Sequence, residues 1–135
     1  MNIEAAIQSK LVAAVASKTP RTYQGAREQG SALPAVSWDW IPGGESFQDM
    51  AAGSVGLAEG TVQFDAYAET TKEAAAIREL IRLAFQNHIN AKMGGTSGVQ
   101  VWCCIFSGTS GGYEPETNVI VRSINFDIHY QQAQS

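Results

Sequence analysis

Apolar residues recur at every fourth position near the start of the chain and predict an amphipathic helix there. The residues of this apolar face are Ile3, Ile7, Leu11 and Val15. Asn2 precedes them as a favourable N-cap, and Pro20 prevents the helix from continuing. The segment 21–34 that follows is irregular, and only Tyr23 and its neighbours suggest a short strand.

The next segment, residues 35–41, alternates between apolar and polar positions and predicts a strand. Its apolar face holds Val36, Trp38 and Trp40. Pro42-Gly43-Gly44 follows and predicts the end of that strand, because proline and glycine interrupt regular pairing. Residues 43–54 show no period, so we expect a flexible loop there.

A longer alternating segment covers residues 55–68 and also predicts a strand. Its apolar face holds Val62, Phe64 and Ala66. Strands usually run about five or six residues. We therefore expect the outer part of this strand to project beyond the domain.

The second helix has the clearest signals. Thr70 and Glu73 have the spacing of a capping box, in which each side chain satisfies the other residue's free backbone N–H. The apolar stripe that follows predicts the buried face of the helix and consists of Ile77, Leu80, Ile81, Ala84, Phe85 and Ile89. Gly94 and Gly95 mark the end of this region.

Two strands are predicted in the last third of the chain. Residues 99–106 are almost continuously apolar, which suits a central strand, and residues 119–130 alternate. Residues 107–118 are rich in Gly, Ser and Thr and predict a flexible loop, whereas residues 131–135 predict a frayed tail.

These elements predict one domain over residues 1–135 with the order α-β-β-α-β-β. Each helix can cover the apolar face of a sheet, so the expected fold is a two-layer α+β domain. We expect a mainly antiparallel four-stranded sheet with both helices packed on one face. The connection through the second helix also permits a right-handed parallel crossover.

The composition changes this picture by suggesting contacts between subunits. Hydrophobic residues make up 44% of the chain and charged residues only 16%, against a usual charged share of about 25%. Few charged groups are then available to cover the outside of the domain. This favours a surface that is partly covered by other subunits.

The negative charge is concentrated in the middle of the chain. The formal net charge is −4. Residues 31–69 contain no Lys or Arg and carry the carboxylates of Asp39, Glu45, Asp49, Glu59, Asp65 and Glu69. An acidic segment repels phosphate, so stable nucleic-acid binding is disfavoured, as is stacking of bases on the aromatic residues. The alternative interpretation is that these carboxylates form a solvated surface without a function of its own.

Cys103 and Cys104 are adjacent, and on a strand they would point to opposite faces, so we expect no disulfide between them. They favour a reducing compartment. The start of the chain lacks the basic and apolar regions of a signal peptide. No apolar stretch approaches the roughly 20 residues that span a bilayer. We expect a soluble product, made in the cytoplasm, with no membrane contact.

The chain offers little material for catalysis. His88 and His129 have no Cys, His or Asp partner at the spacing of a metal site, so two surface histidines are expected. Cys103 and Cys104 lie in an apolar strand that keeps a thiol neutral, which disfavours a nucleophile. The glycine-rich segments 94–98 and 108–112 lack the lysine and the following helix of a phosphate-binding loop. We expect no enzyme, no metal and no cofactor.

Several stretches together resemble the tail terminator, or tail-completion, proteins of long-tailed bacteriophages. The resemblance covers almost the whole chain and rests on strand and cap patterns. Its stretches are Leu33-Pro34-Ala35-Val36-Ser37-Trp38, residues 56–68, residues 71–85, Tyr113-Glu114-Pro115-Glu116-Thr117 and residues 122–130. The segments 23–29 and 43–54 match the family least well.

The resemblance implies a structural virion protein without a cofactor, located at the head–tail junction. Members of the family form a ring, usually a hexamer, on the head-proximal end of the tail tube. The ring stops polymerisation of the major tail tube protein and meets the head–tail connector or stopper proteins. DNA passes through its hole without specific binding.

On this basis the sequence suggests two sets of site residues. Candidates for contact with a neighbouring subunit or the tube are Trp38, Trp40, Phe47, Met50, Val55, Leu57 and Tyr113. Candidates for lining the hole, where like charge would keep DNA from sticking, are Glu45, Asp49 and Glu59.

Two other functions remain open from the sequence. One is another virion subunit, such as a connector, a head-completion protein or a tube protein. The other is a small non-catalytic ligand-binding or enzyme-accessory α+β domain, which would need a concave pocket with convergent polar groups. RNA binding on the sheet would require a basic face that the sequence lacks.

Overall fold

A computed structural model describes residues 1–25, 32–46, 57–114 and 118–131. In these ranges the chain forms two helices and six strands. In chain order they are α1 (Ile3–Val15), β1 (Thr22–Gln24), β2 (Ala35–Ser46), β3 (Leu57–Ala68), α2 (Thr71–Gln86), β4 (Ile89–Met93), β5 (Val99–Glu114) and β6 (Val119–Gln131).

Both helices begin at the residues that the capping signals predict. The Asn2 side chain accepts a hydrogen bond from the backbone N–H of Ala5 at 2.8 Å. The Thr70 hydroxyl accepts one from the backbone N–H of Glu73 at 3.2 Å. Each cap satisfies an N–H group that has no partner inside the helix, which fixes where the helix starts.

The strands form one sheet in the order β1-β2-β3-β6-β5-β4. β1 runs parallel to β2, and all other neighbouring pairs are antiparallel. Trp38 and Ile124 lie on either side of Phe64, so the apolar residues of the three central strands share one face. We call this the helix face, because α2 packs on β3, β5 and β6 there, and we call the opposite side the open face.

The sheet curls around its helices. α1 contacts α2 and also both edge strands, β1 and β4. Five strand spacings of about 4.8 Å would separate these edges by roughly 24 Å if the sheet were flat. A helix with side chains is only about 10–12 Å wide. The contacts of α1 with both edges accord with a sheet that bends into a half-barrel around the core.

The core of this half-barrel is aromatic in its centre. The ring centroids of Phe64 and Phe85 are 4.7 Å apart, and those of Phe85 and Phe126 are 5.9 Å apart. Trp38 is fully buried, and its indole Nε1–H donates to Oε1 of Gln8 at 2.7 Å. The same Gln8 donates from Nε2 to the hydroxyl of Thr22 at 2.8 Å, so one α1 side chain ties the helix to β1 and β2.

The expected four-stranded, mainly antiparallel sheet with the order α-β-β-α-β-β is wrong. The described sheet is mixed and six-stranded, and its two extra strands lie at its edges. Both extra strands are short: β1 has three residues, and β4 has five that alternate but directly follow the helical period of α2. They exist because neighbouring strands offer unpaired backbone groups, which is a tertiary effect.

β4 replaces the last turn of the predicted second helix. α2 ends at Gln86, where the N–H of His88 bonds to the carbonyl of Phe85 at 3.1 Å and closes a turn. Ile89, predicted to be buried in the helix stripe, is instead 68% exposed and pairs with Cys103. Met93 at the other end of β4 enters the core in its place.

β1 forms around Tyr23, where the sequence suggests a short strand within an otherwise irregular segment. Its three residues pair with residues 36–38 of β2. Backbone bonds close both ends of this pairing: the N–H of Val36 donates to the carbonyl of Arg21 at 3.0 Å, and that of Gly25 donates to Trp38 at 2.7 Å. A parallel strand of this length depends on the strand beside it rather than on its own pattern.

Two predicted loops are partly strand. β2 continues through residues 43–46, with a bulge between Pro42 and Gly44, whereas residues 47–54 lie outside the described residues. Residues 107–114, also expected to be loop, form the second half of β5 and pair with β6 after a shift between Phe106 and Gly108. Small residues pair through their backbone here, and bulges absorb the irregularity.

Gly60 is required by the packing of Trp40. A Cβ atom on Gly60 would clash with the Trp40 indole and lie 2.9 Å from the carbonyl oxygen of Ile41. We therefore expect Gly60→Ala to lower the free energy of unfolding by about 1–3 kcal/mol through overpacking. Urea unfolding followed by tryptophan fluorescence measures this.

Gly112→Ala is the matched control, since a Cβ there meets no atom within 4 Å. We expect this variant to stay within about 0.5 kcal/mol of the parent chain. Equal effects of the two substitutions would contradict the packing assigned to Trp40.

Candidate functional site

The predicted interface residues lie in different parts of the domain. Trp38 is fully buried in the core and is not available to a second subunit. Trp40 is half-buried, and its ring meets that of Tyr130 edge-on at 5.8 Å. The two tryptophans share the helix face, as expected, but both belong mainly to the packing of this subunit.

Leu57 and Tyr113 are exposed, at 46% and 57%, but they lie at opposite ends of the sheet. Leu57 pairs with Gln131 at the start of β3. Tyr113 pairs with Ile120, which is level with the end of β3 at Ala68. The structure does not bring these two residues together, so they cannot belong to one compact patch of a single subunit.

The remaining predicted site residues are described only in part. Phe47, Asp49, Met50 and Val55 lie outside the described residues. Glu45 lies in β2 opposite Ala58, but its side chain is outside the described part of the structure. Among the acidic candidates, Glu59 is described: it is exposed on the open face, with Oε2 at 3.7 Å from Nδ1 of His129.

The centre of the open face is a row of mutually bonded polar side chains. Thr61 donates to Asp127 at 2.8 Å. Asp65 accepts from the hydroxyl of Ser123 and from Nε2 of Gln63, the latter at 3.1 Å. These hydrogen bonds connect the carboxylates of Asp65 and Asp127 to hydroxyl and amide groups of β3 and β6.

Exposed apolar side chains lie along β4 and the first half of β5. They are Ile89, Trp102, Ile105 and Phe106. Phe106 also contacts the core through Phe126, with ring centroids 6.3 Å apart. Single exposed apolar residues are ordinary. Ile105 and Phe106 are consecutive in β5 and pair with Asp127 and Phe126, so they lie on opposite faces of the sheet and do not form one patch.

A groove that sequence reasoning missed lies between α2 and the β5–β6 hairpin, with a volume of about 640 Å³. It is lined by Thr71, Arg78, Ser110, Gly111, Gly112, Tyr113, Ile120 and Arg122. Arg78 and Arg122 are 44 residues apart in the sequence, and only the pairing of β5 with β6 beside α2 brings both to one groove. In the sequence, neither arginine stands in a local pattern that indicates a binding site.

The two arginines of the groove differ from Arg82, the other arginine of α2. Arg82 forms an ion pair with Glu79 on the outside of α2. Within the described ranges, neither Arg78 nor Arg122 forms an ion pair. The guanidinium of Arg122 lies across Gly111, where a Cβ would be 2.8 Å from Nη1, and it donates to the carbonyl of Val121 at 3.0 Å. This site can bind an anionic group.

The buried titratable groups cluster under α1 and do not form a reactive site. Burial raises the pKa of the Cys104 thiol to about 12, although nearby Lys10 acts in the opposite direction. Burial also lowers the pKa values of Lys10 and His88. His88, expected at the surface, is buried, and its Nε2 lies 2.8 Å from the carbonyl oxygen of Ala91.

Within the described ranges, no group of three or more His, Cys, Asp or Glu side chains is arranged to hold a metal ion. None of the helices described has the length and apolar character needed to cross a membrane.

Comparison with known proteins gives a likeness among solved structures. No family model and no curated protein matches the chain. Among solved structures, a chain in the virion of a native gene transfer agent particle is similar, with a TM-score of 0.59 at 14% identity. The match covers 96% of this chain and 95% of the other. At this identity the likeness shows a shared fold over nearly the whole of both chains.

The burial of Cys104 leads to a test of its reactivity. At about pH 8 a thiol with its pKa raised by burial is almost entirely protonated, and protonated thiols react slowly. We expect iodoacetamide to label Cys103 in the folded chain and Cys104 only after unfolding in urea, as read by mass spectrometry of the peptides.

Cys103→Ser is the matched control and should abolish labelling of the folded chain while leaving labelling of the unfolded chain. Rapid labelling of Cys104 in the folded state would show that this thiol is accessible and activated.

Proposed function

We propose that this chain is a structural virion protein: a tail terminator that forms a ring on the head-proximal end of a tail tube and joins it to the head connector. The observation that carries the proposal is the fold shared with a chain of a gene transfer agent virion, over 96% of this chain and 95% of that one.

The sequence resemblance to tail terminators supports the finer part of this proposal. It runs through β2, β3, α2 and β6, which are the elements that build the core. The fold likeness to a virion chain and the residue pattern both favour a particle subunit over a small ligand-binding domain.

The surfaces also suit a subunit of a ring. A ring places different patches of one subunit against its two neighbours, so two separated contact surfaces are needed. The exposed apolar residues on β4 and β5 and the groove beside α2 provide contact surfaces of different chemistry. In such a ring Glu59, exposed beside His129, is a candidate for lining the hole, together with Glu45 and Asp49.

The proposal is tested by the assembly state of the purified chain. Light scattering after size exclusion gives its mass, and negative-stain microscopy shows its shape alone and after mixing with tail tubes of the same particle. We expect closed rings, usually of six subunits in this family, and rings attached to one end of each tube.

Other outcomes would contradict the proposal in different ways. Growth into open polymers would indicate a tube protein. Rings that bind portal or connector but never tubes would indicate a head-side subunit. A monomer at high concentration that caps nothing would favour the ligand-binding domain.

A further inference from the structure

The second half of β5 leaves one side unpaired among the described strands. From residue 107 onward β5 pairs with β6, while its pairing with β4 on the other side ends at Cys103. Alternate residues of an antiparallel strand direct their N–H and C=O groups to opposite sides, so every second residue here offers both groups outward. Residues 107–113 contain no Lys and no Pro, which commonly block such edges, and all but Gly108 are exposed. This edge can accept a further strand.

The side chain of Arg122 extends from β6 over β5. Arg122 pairs with Gly111 across the β5–β6 ladder. A Cβ atom on Gly111 would lie 2.8 Å from Nη1 of Arg122 and 3.3 Å from its Cδ and Cζ, so the guanidinium occupies the space above that glycine. Neighbouring strands of a sheet lie about 4.8 Å apart. The guanidinium is therefore within reach of a side chain on a strand added beside Gly111.

Arg78 brings a second guanidinium to the same groove. It lines the groove together with Arg122, and the described residues of that lining include no Asp or Glu. Glu79 follows Arg78 in the sequence but is bonded to Arg82. The hydrogen bond from Arg82 is the main reason why the pKa of Glu79 is lowered, and Arg78 makes the smallest contribution. Two positive charges thus line the groove without a described counter-charge.

We propose that the groove between α2 and the β5–β6 hairpin binds an extended acidic segment of a partner protein, which adds to the free edge of β5 as a strand. The N–H and C=O groups of the segment pair with the outward groups of residues 107–113. Side chains two residues apart in a strand point to the same face, so acidic residues at alternate positions face the groove together. Guanidinium groups bind carboxylates through paired hydrogen bonds. The backbone supplies affinity, and the two arginines select the partner.

The described strands of this chain do not supply such a segment. In none of them do two carboxylates stand two residues apart. The strands β3 and β6, which carry Glu59, Asp65 and Asp127, are already paired on both sides. A second copy would have to break its own sheet to offer one of these strands. The occupant is therefore a different protein.

This inference rests on the proposed function, because a virion subunit meets tube and connector proteins that can supply the segment. The groove then serves contacts with those proteins and not contacts between copies in a ring. Substitutions in the groove should remove the bound segment and leave the mass of the assembled chain unchanged.

The first test measures binding of a synthetic probe to the full-length chain. The probe is a short fluorescent peptide in which Glu and Thr alternate, and its counterpart carries Gln in place of every Glu. Fluorescence anisotropy should show that the Glu peptide binds about tenfold more tightly than the Gln peptide, with an affinity that falls as salt rises. Equal binding of the two peptides, or no binding of either, would contradict the proposal.

The second test separates strand addition from capture of a free anion. The Glu peptide is made with N-methyl groups on all Glu residues and, separately, on all Thr residues, which removes the N–H groups from one edge or from the other. Because a strand added to β5 uses one edge, one of these peptides should lose binding about tenfold and the other should keep it. Similar binding of both, with displacement by inorganic phosphate at constant ionic strength, would show a free anion site and overturn the strand. A loss in both would also overturn a contact through one edge.

The third test uses variants of the groove with matched controls. Arg78→Gln with Arg122→Gln should weaken binding of the Glu peptide about tenfold. Gly111→Ala should weaken it as well, because its Cβ displaces the Arg122 guanidinium. Two controls should bind like the parent chain: Gly112→Ala, whose Cβ meets no atom within 4 Å, and Lys92→Gln, which removes a positive charge of β4 outside the groove. Circular dichroism confirms that each variant is folded. Undiminished binding by the arginine variant would place the peptide elsewhere and overturn the groove.

These tests fail separately from the proposed function. Rings that cap tubes, formed by a chain that binds neither peptide, would overturn the groove and leave the terminator intact. Peptide binding that depends on both arginines, in a chain that forms no rings, would uphold the groove and overturn the terminator.

Discussion

The curl of the sheet is the constraint from which the other features of this domain follow. Six strands present an apolar face wider than two helices can cover, so a flat sheet would leave core residues in water. Bending brings both edge strands to α1, and Gln8 fixes that contact by bonding to β1 and to the indole of Trp38. The aromatic centre of Phe64, Phe85 and Phe126 then fills the half-barrel. Strand, helix and core are stable only together, because neither layer can bury its apolar side alone.

The same bend determines which groups are left on the outside. The open face has no described helix over it, and Asp65 and Asp127 there accept hydrogen bonds from Thr61, Gln63 and Ser123. Burial raises the pKa of the Cys104 thiol and lowers that of His88, so both of these side chains are held in neutral form. The outside of the described residues also carries exposed apolar side chains on β4 and β5 and a groove beside α2 that contains two arginines.

The sequence predicts the parts of the fold that depend on local pattern. Asn2 and Thr70 mark both helix starts, and alternation identifies the middle of β2, β3 and β6. It fails where tertiary contact decides the structure. β1 is too short to show a period, β4 looks like the continuation of a helix, and residues 107–114 look like a loop because glycine and serine carry no apolar signal. The groove was missed for the same reason, since Arg78 and Arg122 meet only after β6 has paired beside α2. Trp38 shows the reverse error: an aromatic residue on an alternating strand suits a core and an interface equally well.

Residues 107–114 of β5 pair with β6 on one side and with no described strand on the other, and this has a consequence for fidelity. Hydrogen bonds along a strand edge are nearly the same for every sequence, so such an edge by itself does not distinguish one extended peptide from another. Discrimination would have to come from the side chains beside it, and here these include two guanidinium groups whose reach falls off with ionic strength.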